Sequence, residues 1–119
     1  MTAQTCKPNV LQMTAKEAKR YLEASDKPTL VQFAADWCGY CEASKPAVSQ
    51  ASQVLCDRAR VVRVNVDKAP QLADKFGVNE LPDFVVMHKG KIIARVKGQA
   101  DAKTLIAAVN KALRQKKGR

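Results

Sequence analysis

The periodicities of this 119-residue chain imply an α/β domain. Three observations carry that expectation. Short alternating or apolar runs suited to strands recur between amphipathic runs suited to helices, in the order β-α-β-α-β-α-β-β-α. Capping and turn residues stand at the offsets where those elements must start and stop. Finally, the apolar run from Thr29 to Ala35 ends in Trp37-Cys38-Gly39-Tyr40-Cys41, which leads into a helix-compatible stretch from Glu42 to Arg58.

In chain order, Val10 to Met13 alternates as a short strand. Thr14-Ala15-Lys16-Glu17 has the capping-box form, in which Thr14 caps the helix and Glu17 answers it three residues on. Ala15, Ala18, Tyr21 and Leu22 share one face of that helix, and Asp26-Lys27-Pro28 ends it. Thr29 to Ala35 reads as a central strand. The helix after the cysteines carries Pro46, expected to remove one backbone bond and kink it, with Val48, Ala51, Val54 and Leu55 as its apolar face. Arg60 to Asp67, with valines at 62, 64 and 66, is a strand. Pro70 suits the first turn of a short helix reaching Phe76, and Gly77 its left-handed end. Val78 to Pro82 is a loop. Asp83–His88 and Lys91–Lys97 flank Lys89-Gly90 as a hairpin. Asp101 is placed to cap a last helix with Leu105, Ile106, Val109 and Leu113 on its apolar face. No repeat or linker interrupts the chain. We therefore expect one domain over 1–119, with a core of about 10–113 between a polar segment (1–9) and a frayed basic tail (114–119).

Composition narrows the function classes. Hydrophobic residues make 46% and charged residues 27%, which suits a globular core. No apolar run approaches a membrane span, so no membrane insertion is expected. Met1 to Lys7 lacks the apolar segment of a signal peptide: either the protein is not exported, or a signal has been removed. Lysine and arginine outnumber acids 21 to 11, a net charge of +10. These charges spread over several elements, and the six aromatics do not interleave with a basic stripe. That pattern argues for a solvated surface weakly attractive to acidic partners rather than for nucleic-acid binding.

The cysteine pair carries the chemistry. Residues three apart lie on one helix face, near enough to bridge. The N-terminus of a helix presents free N–H groups and partial positive charge, which stabilise a thiolate. Cys38 is then the accessible nucleophile, and Cys41, one turn inside, resolves the mixed disulfide. Zinc needs four ligands, and the remaining candidates, Cys6, Cys56 and His88, are isolated; no metal is expected. A purely structural bridge across so short a loop would add little stability.

With these elements in place, the chain resembles the thioredoxin family. The residues that carry the resemblance are Trp37-Cys38-Gly39-Tyr40-Cys41, Asn65-Val66-Asp67, Phe76-Gly77-Val78, Leu81-Pro82, Lys89-Gly90 and Gly98, spaced without a gap from about Val10 to Leu113. The resemblance implies a thioredoxin fold: a central mixed sheet of about five strands with helices on both faces. It also implies thiol–disulfide oxidoreductase activity on protein substrates, with no cofactor beyond the Cys38–Cys41 pair. Electrons would come from a thioredoxin-reductase-like or membrane donor, and the chain would be a monomer. Pro82 would be a cis-proline facing the pair. Trp37, Leu81 and Gly98 would rim the substrate groove, while Gly39 and Tyr40 would help to set the reduction potential. The alternative is a thioredoxin-fold binding or assembly module with little redox turnover.

Departures from the family pattern mark tuning positions. Tyr40 stands where proline is usual, and the Cys-Gly-Tyr-Cys form is similar to that of periplasmic disulfide isomerases. Gln32 stands where the family has a buried Asp, and it cannot take a proton. Arg63 matches the usual lysine partner of that Asp and is expected to lack a carboxylate. Lys97 and Glu80 make the groove more polar. In the thioredoxin arrangement the first and third strands are parallel neighbours, which would bring Cys6 and Cys56 to one end of the sheet. They are then either a structural disulfide or two unrelated thiols. A stable bridge would favour an oxidising, exported location such as a periplasm over the cytoplasm.

Overall fold

A computed structural model describes residues 5–24 and 26–117. Among them, β1 (Val10–Met13), β2 (Thr29–Ala34), β3 (Arg60–Asn65), β4 (Asp83–His88) and β5 (Lys91–Lys97) form one sheet in the order β1-β3-β2-β4-β5. β3 runs parallel to both β1 and β2, whereas β4 is antiparallel to β2 and to β5. The sheet is mixed and has five strands, as expected.

Helices α1 (Ala15–Ala24) and α4 (Pro70–Lys75) cover one face. There Ala18, Leu22 and Leu72 pack with Phe76 on Val31, Phe33, Val62, Val64, Val85 and Met87. The other face lies under α3 (Lys45–Leu55) and α5 (Ala102–Lys117), whose Val48, Ala51, Leu55, Leu105 and Val109 meet Leu30, Val61, Phe84 and Val86. Because β2 is covered on both sides, all six of its residues are buried, which is why its sequence runs apolar rather than alternating. This burial fixes the end of β2, and the end of β2 positions the cysteines.

Local chemistry sets the boundaries. Thr14 and Glu17 form the reciprocal capping box, with N···O distances of 3.0 and 3.2 Å. Asp101 Oδ1 accepts the Thr104 N–H at 2.8 Å and starts α5. Lys89 and Gly90 both take positive φ, 51° and 79°, as a two-residue hairpin turn requires.

Two expectations need correction. The stretch after the cysteines is two helices rather than one kinked helix: α2 (Gly39–Ala43) stops at Ser44, and Pro46 sits in the first turn of α3, where its missing N–H costs nothing. The basic residues from Arg114 to Lys117 continue α5 instead of fraying; Gly118 and Arg119, the rest of the expected tail, lie outside the described residues. In the polar N-terminal segment, residues 1–4 are likewise outside them, but Cys6 and Asn9 are tied to α3. The Cys6 N–H donates to Gln53 O at 2.8 Å and the Asn9 N–H to Ser52 Oγ at 3.1 Å. No described helix is long and apolar enough to cross a membrane.

Candidate active site

β2 ends at Ala34, and the turn Ala35-Asp36-Trp37 carries the chain off the sheet edge into Cys38. Cys38 is the N-cap of α2, with extended φ and ψ (−87° and 105°), and its N–H donates to Ala35 O at 3.2 Å. Its Sγ accepts the Cys41 backbone N–H at 3.1 Å, so a helix-terminal donor is aimed at this sulfur. Cys38 and Cys41 are joined in a disulfide, their Cα atoms 5.2 Å apart. Cys41 is fully buried and Cys38 is 5% exposed. Both cysteines are therefore buried in the disulfide form, and Cys38 does not stand free.

The surroundings divide into an open rim and a closed back. Trp37 and Tyr40 are 70% and 66% exposed beside the pair. Trp37 Nε1 donates to Asp67 Oδ2 at 2.8 Å, and the Asp67 N–H donates to Asn65 Oδ1 at 2.9 Å, which holds the indole over the turn. Leu81 and Val66 pack against Ala34, Ala35 and both cysteines. The Leu81–Pro82 peptide is cis, and Pro82 O accepts the Gly98 N–H at 2.8 Å, with Gly98 at a φ of 83°. Lys97 Nζ donates to Asn79 Oδ1 at 3.0 Å, at the margin of this loop.

Behind the pair lies a polar chain of contacts. The Gln32 amide, buried in β2, points Nε2 at Cys41 O (3.5 Å), and its Oε1 accepts from Arg63 Nη1 (3.4 Å). Arg63 does not lack a carboxylate, contrary to expectation: Nη2 donates to Glu42 Oε2 at 2.9 Å. Lys45 holds the other oxygen of Glu42 at 3.0 Å. That bond, helped by the one from Arg63, keeps the Glu42 carboxyl below its ordinary range. The acid that Gln32 cannot supply from the strand is supplied by the helix, one residue after Cys41. Residue type at position 32 gave no hint of this. The Glu42-x-x-Lys45 spacing was the available signal.

A second pair was not anticipated. Asp83, directly after Pro82, is fully buried, with Arg95 Nε 3.3 Å from Oδ1. Arg95 also donates to the Phe76 carbonyl, which ties β5 to the end of α4. Burial pushes the Asp83 carboxyl up, and the positive charges of Arg95 and Lys97 offset this only in part.

Cys6 and Cys56 lie far from this site and are joined to each other, with Cα atoms 5.5 Å apart and a sequence separation of 50. The parallel pairing of β1 with β3 brings their leading ends together, and Cys56 caps α3 just before β3. The single histidine, His88, has Nε2 2.7 Å from Asp26 O and no part in the site. Among the described residues no cluster of three or more potential metal ligands occurs.

Fold and site define a class: an α/β protein whose central strand leads into a Cys-x-x-Cys disulfide packed against Leu81, the residue before a cis-proline. Comparison with known proteins gives the family. The thioredoxin family model matches residues 9–111, and the chain belongs to the thioredoxin family. It is 37% identical over 95 residues to the chloroplastic Thioredoxin Y2 of Arabidopsis thaliana, covering 80% of this chain and 57% of that one. To Thioredoxin 1 of Nostoc sp. it is 33% identical over 102 residues, covering 86% and 95%. The chain thus spans little more than half of the plant relatives it matches. Among solved structures, the thioredoxin Mala s 13 of Malassezia sympodialis superposes with a TM-score of 0.79 at 28% identity, covering 89% of this chain and 92% of that one.

Proposed function

We propose that this chain is a thiol–disulfide oxidoreductase acting on protein disulfides, with Cys38 as nucleophile and Cys41 as resolving thiol. The observation that carries the proposal is the asymmetry of the pair: Cys38 is slightly exposed and its Sγ receives the Cys41 N–H, while Cys41 is fully buried. In the reduced protein the Cys38 thiolate attacks one sulfur of a substrate disulfide, forms a mixed disulfide and expels a substrate thiolate. The Cys41 thiolate then attacks Cys38 Sγ and expels the second. Two electrons pass to the substrate, its two thiolates take up two protons, and the Cys38–Cys41 bond closes. An N–H donor on Cys38 favours its thiolate both as attacker and as leaving group.

Trp37, Leu81, Pro82 and Gly98 form the substrate groove in this proposal. Gly39 and Tyr40, between the cysteines, and Gln32 and Arg63, behind them, tune the pair. The redox disulfide is itself the electron carrier. A reductase-like or membrane donor regenerates the dithiol, and the chain acts as a monomer. The Cys6–Cys56 bridge favours an oxidising, exported location. Insulin reduction in the presence of dithiothreitol tests the mechanism. We expect turnover that Cys38→Ser abolishes, and selective alkylation of Cys38 over Cys41 in the reduced protein at neutral pH. Turnover that survives Cys38→Ser, or equal labelling of the two thiols, sinks the assignment.

A further inference from the structure

The carboxyl ends of β1, β3 and β2 open onto a cavity of about 470 Å³ on the α3 side of the sheet. Its charged lining is Lys45, Lys68, Arg63 and Asp36, and Gln12 and Asn65 add uncharged hydrogen-bonding groups. Crevices at the carboxyl ends of parallel strands are where open α/β sheets take ligands, and the volume suits a small molecule. Three cations face one carboxylate. Glu42, behind Arg63, draws on Arg63 and Lys45 but leaves the balance positive. The Lys68 ammonium makes no ion pair or hydrogen bond among the described residues.

Arg63 is the second observation. It is 8% exposed, yet it lines the cavity. A guanidinium has five N–H donors, and its side-chain partners here, Gln32 and Glu42, take two of them. A buried guanidinium with unspent donors at the wall of a basic cavity suits the oxygens of a phosphate, which a planar fork binds in bidentate fashion.

We propose that this cavity binds a small phosphate-type dianion and that its occupancy is transmitted to the Cys38–Cys41 pair. The route is short. An anion that draws on Arg63 competes with Glu42 and Gln32, and Gln32 reaches the Cys41 carbonyl in the first turn of α2. Reduction adds thiolate charge on that side of the sheet, so the dianion binds the disulfide form more tightly than the dithiol form. By linkage it favours oxidation of the pair by the same factor.

The test is an amide NMR titration of the full chain, in oxidised and reduced forms, with sodium phosphate and separately with glycerol phosphate. Ionic strength is held constant with sodium chloride. Saturable shifts are expected at Gln12, Asn65 and Lys68. Lys68→Ala should weaken binding about two- to fivefold, the scale of one exposed ion pair. Lys91→Ala, at the hairpin turn on the opposite end of the sheet, should leave it unchanged. Affinity in the reduced protein should be lower by about the same factor. Tighter binding of the ester assigns the site to phosphate monoesters, and equal binding assigns it to the free ion. Shifts that do not saturate, or that weaken equally in Lys91→Ala, overturn the site. Equal affinity in the two redox forms overturns the coupling.

Discussion

The Cys6–Cys56 disulfide should be the largest single contributor to stability outside the hydrophobic core. Its ends are 50 residues apart, and on the chain-entropy account closing such a loop in the unfolded state is worth about 4 kcal/mol. The folded side agrees with that order, because among the described residues the segment before β1 otherwise rests on the Cys6 N–H to Gln53 O and Asn9 N–H to Ser52 Oγ bonds. The perturbation is Cys6→Ser with Cys56→Ser. Serine is preferable to glycine at 56, where φ is 50°, because glycine would relieve the backbone and mask part of the loss. For 119 residues the unfolding entropy is roughly 250 cal/mol/K near the midpoint, so a loss of about 4 kcal/mol lowers Tm by roughly 15 °C. Urea unfolding at 25 °C, with the active-site pair kept oxidised, measures the loss directly. A loss below about 1 kcal/mol would refute the loop-closure argument, since native bridges in small domains typically give 2–5 kcal/mol.

Three further outcomes are expected. On stepwise addition of a thiol reductant followed by alkylation, Cys38 and Cys41 should be modified before Cys6 and Cys56, and simultaneous modification would count against separate roles. Asp83 has a raised folded carboxyl value, so its contribution to stability is fully present below the ordinary aspartate range and is lost as pH rises through the raised value. The difference in urea midpoint between wild type and Asp83→Asn should therefore change across that window, and a pH-independent difference would contradict the assigned burial cost. Arg63→Leu should destabilise by about 1–3 kcal/mol, because the buried Gln32 oxygen loses its donor, and should cost more than Glu42→Gln, where the half-exposed side chain keeps an amide oxygen for Arg63 to donate to. Equal costs in chemical denaturation would show that the ion pair, not the amide, carries the network.

Much of this arrangement was legible in the sequence because the relevant signals are local. The capping box at Thr14 and Glu17, the Lys89-Gly90 turn and the Asp101 cap each depend on a few adjacent residues. What was not legible depends on register. Counting back from a two-residue turn pairs His88 with Lys91 and Met87 with Ile92, and would set Arg95 opposite Phe84, on the face away from Asp83. A bulge at Ile93 moves the count by one, so that Asp83 faces Lys97 and Val85 faces Arg95. This shift brings Arg95 to the Asp83 face, and no alternation in the sequence announces it. The partner of Arg63 was hidden for a similar reason. A position-by-position comparison looks for its carboxylate at Gln32, whereas Ser44 ends α2 early enough for Glu42 to reach over β3.

The two disulfides also show why one bond type serves two purposes in the same domain. A bridge between residues three apart restricts the unfolded chain little, worth about 2 kcal/mol against about 4 for the long loop. Stabilisation is reciprocal: whatever a bond adds to the fold, the fold adds to the bond. The fold therefore resists reduction of Cys6–Cys56 more than that of Cys38–Cys41. Opening the short bridge also leaves both of its cysteines seated, Cys38 at the cap of α2 and Cys41 one turn inside it, so the domain does not need to rearrange. Opening the long one leaves the segment before β1 held to α3, among the described residues, by the Cys6 and Asn9 N–H bonds alone. The proposed cycling requires a bond whose loss costs the fold little, and loop length favours the pair at the end of β2 for that part.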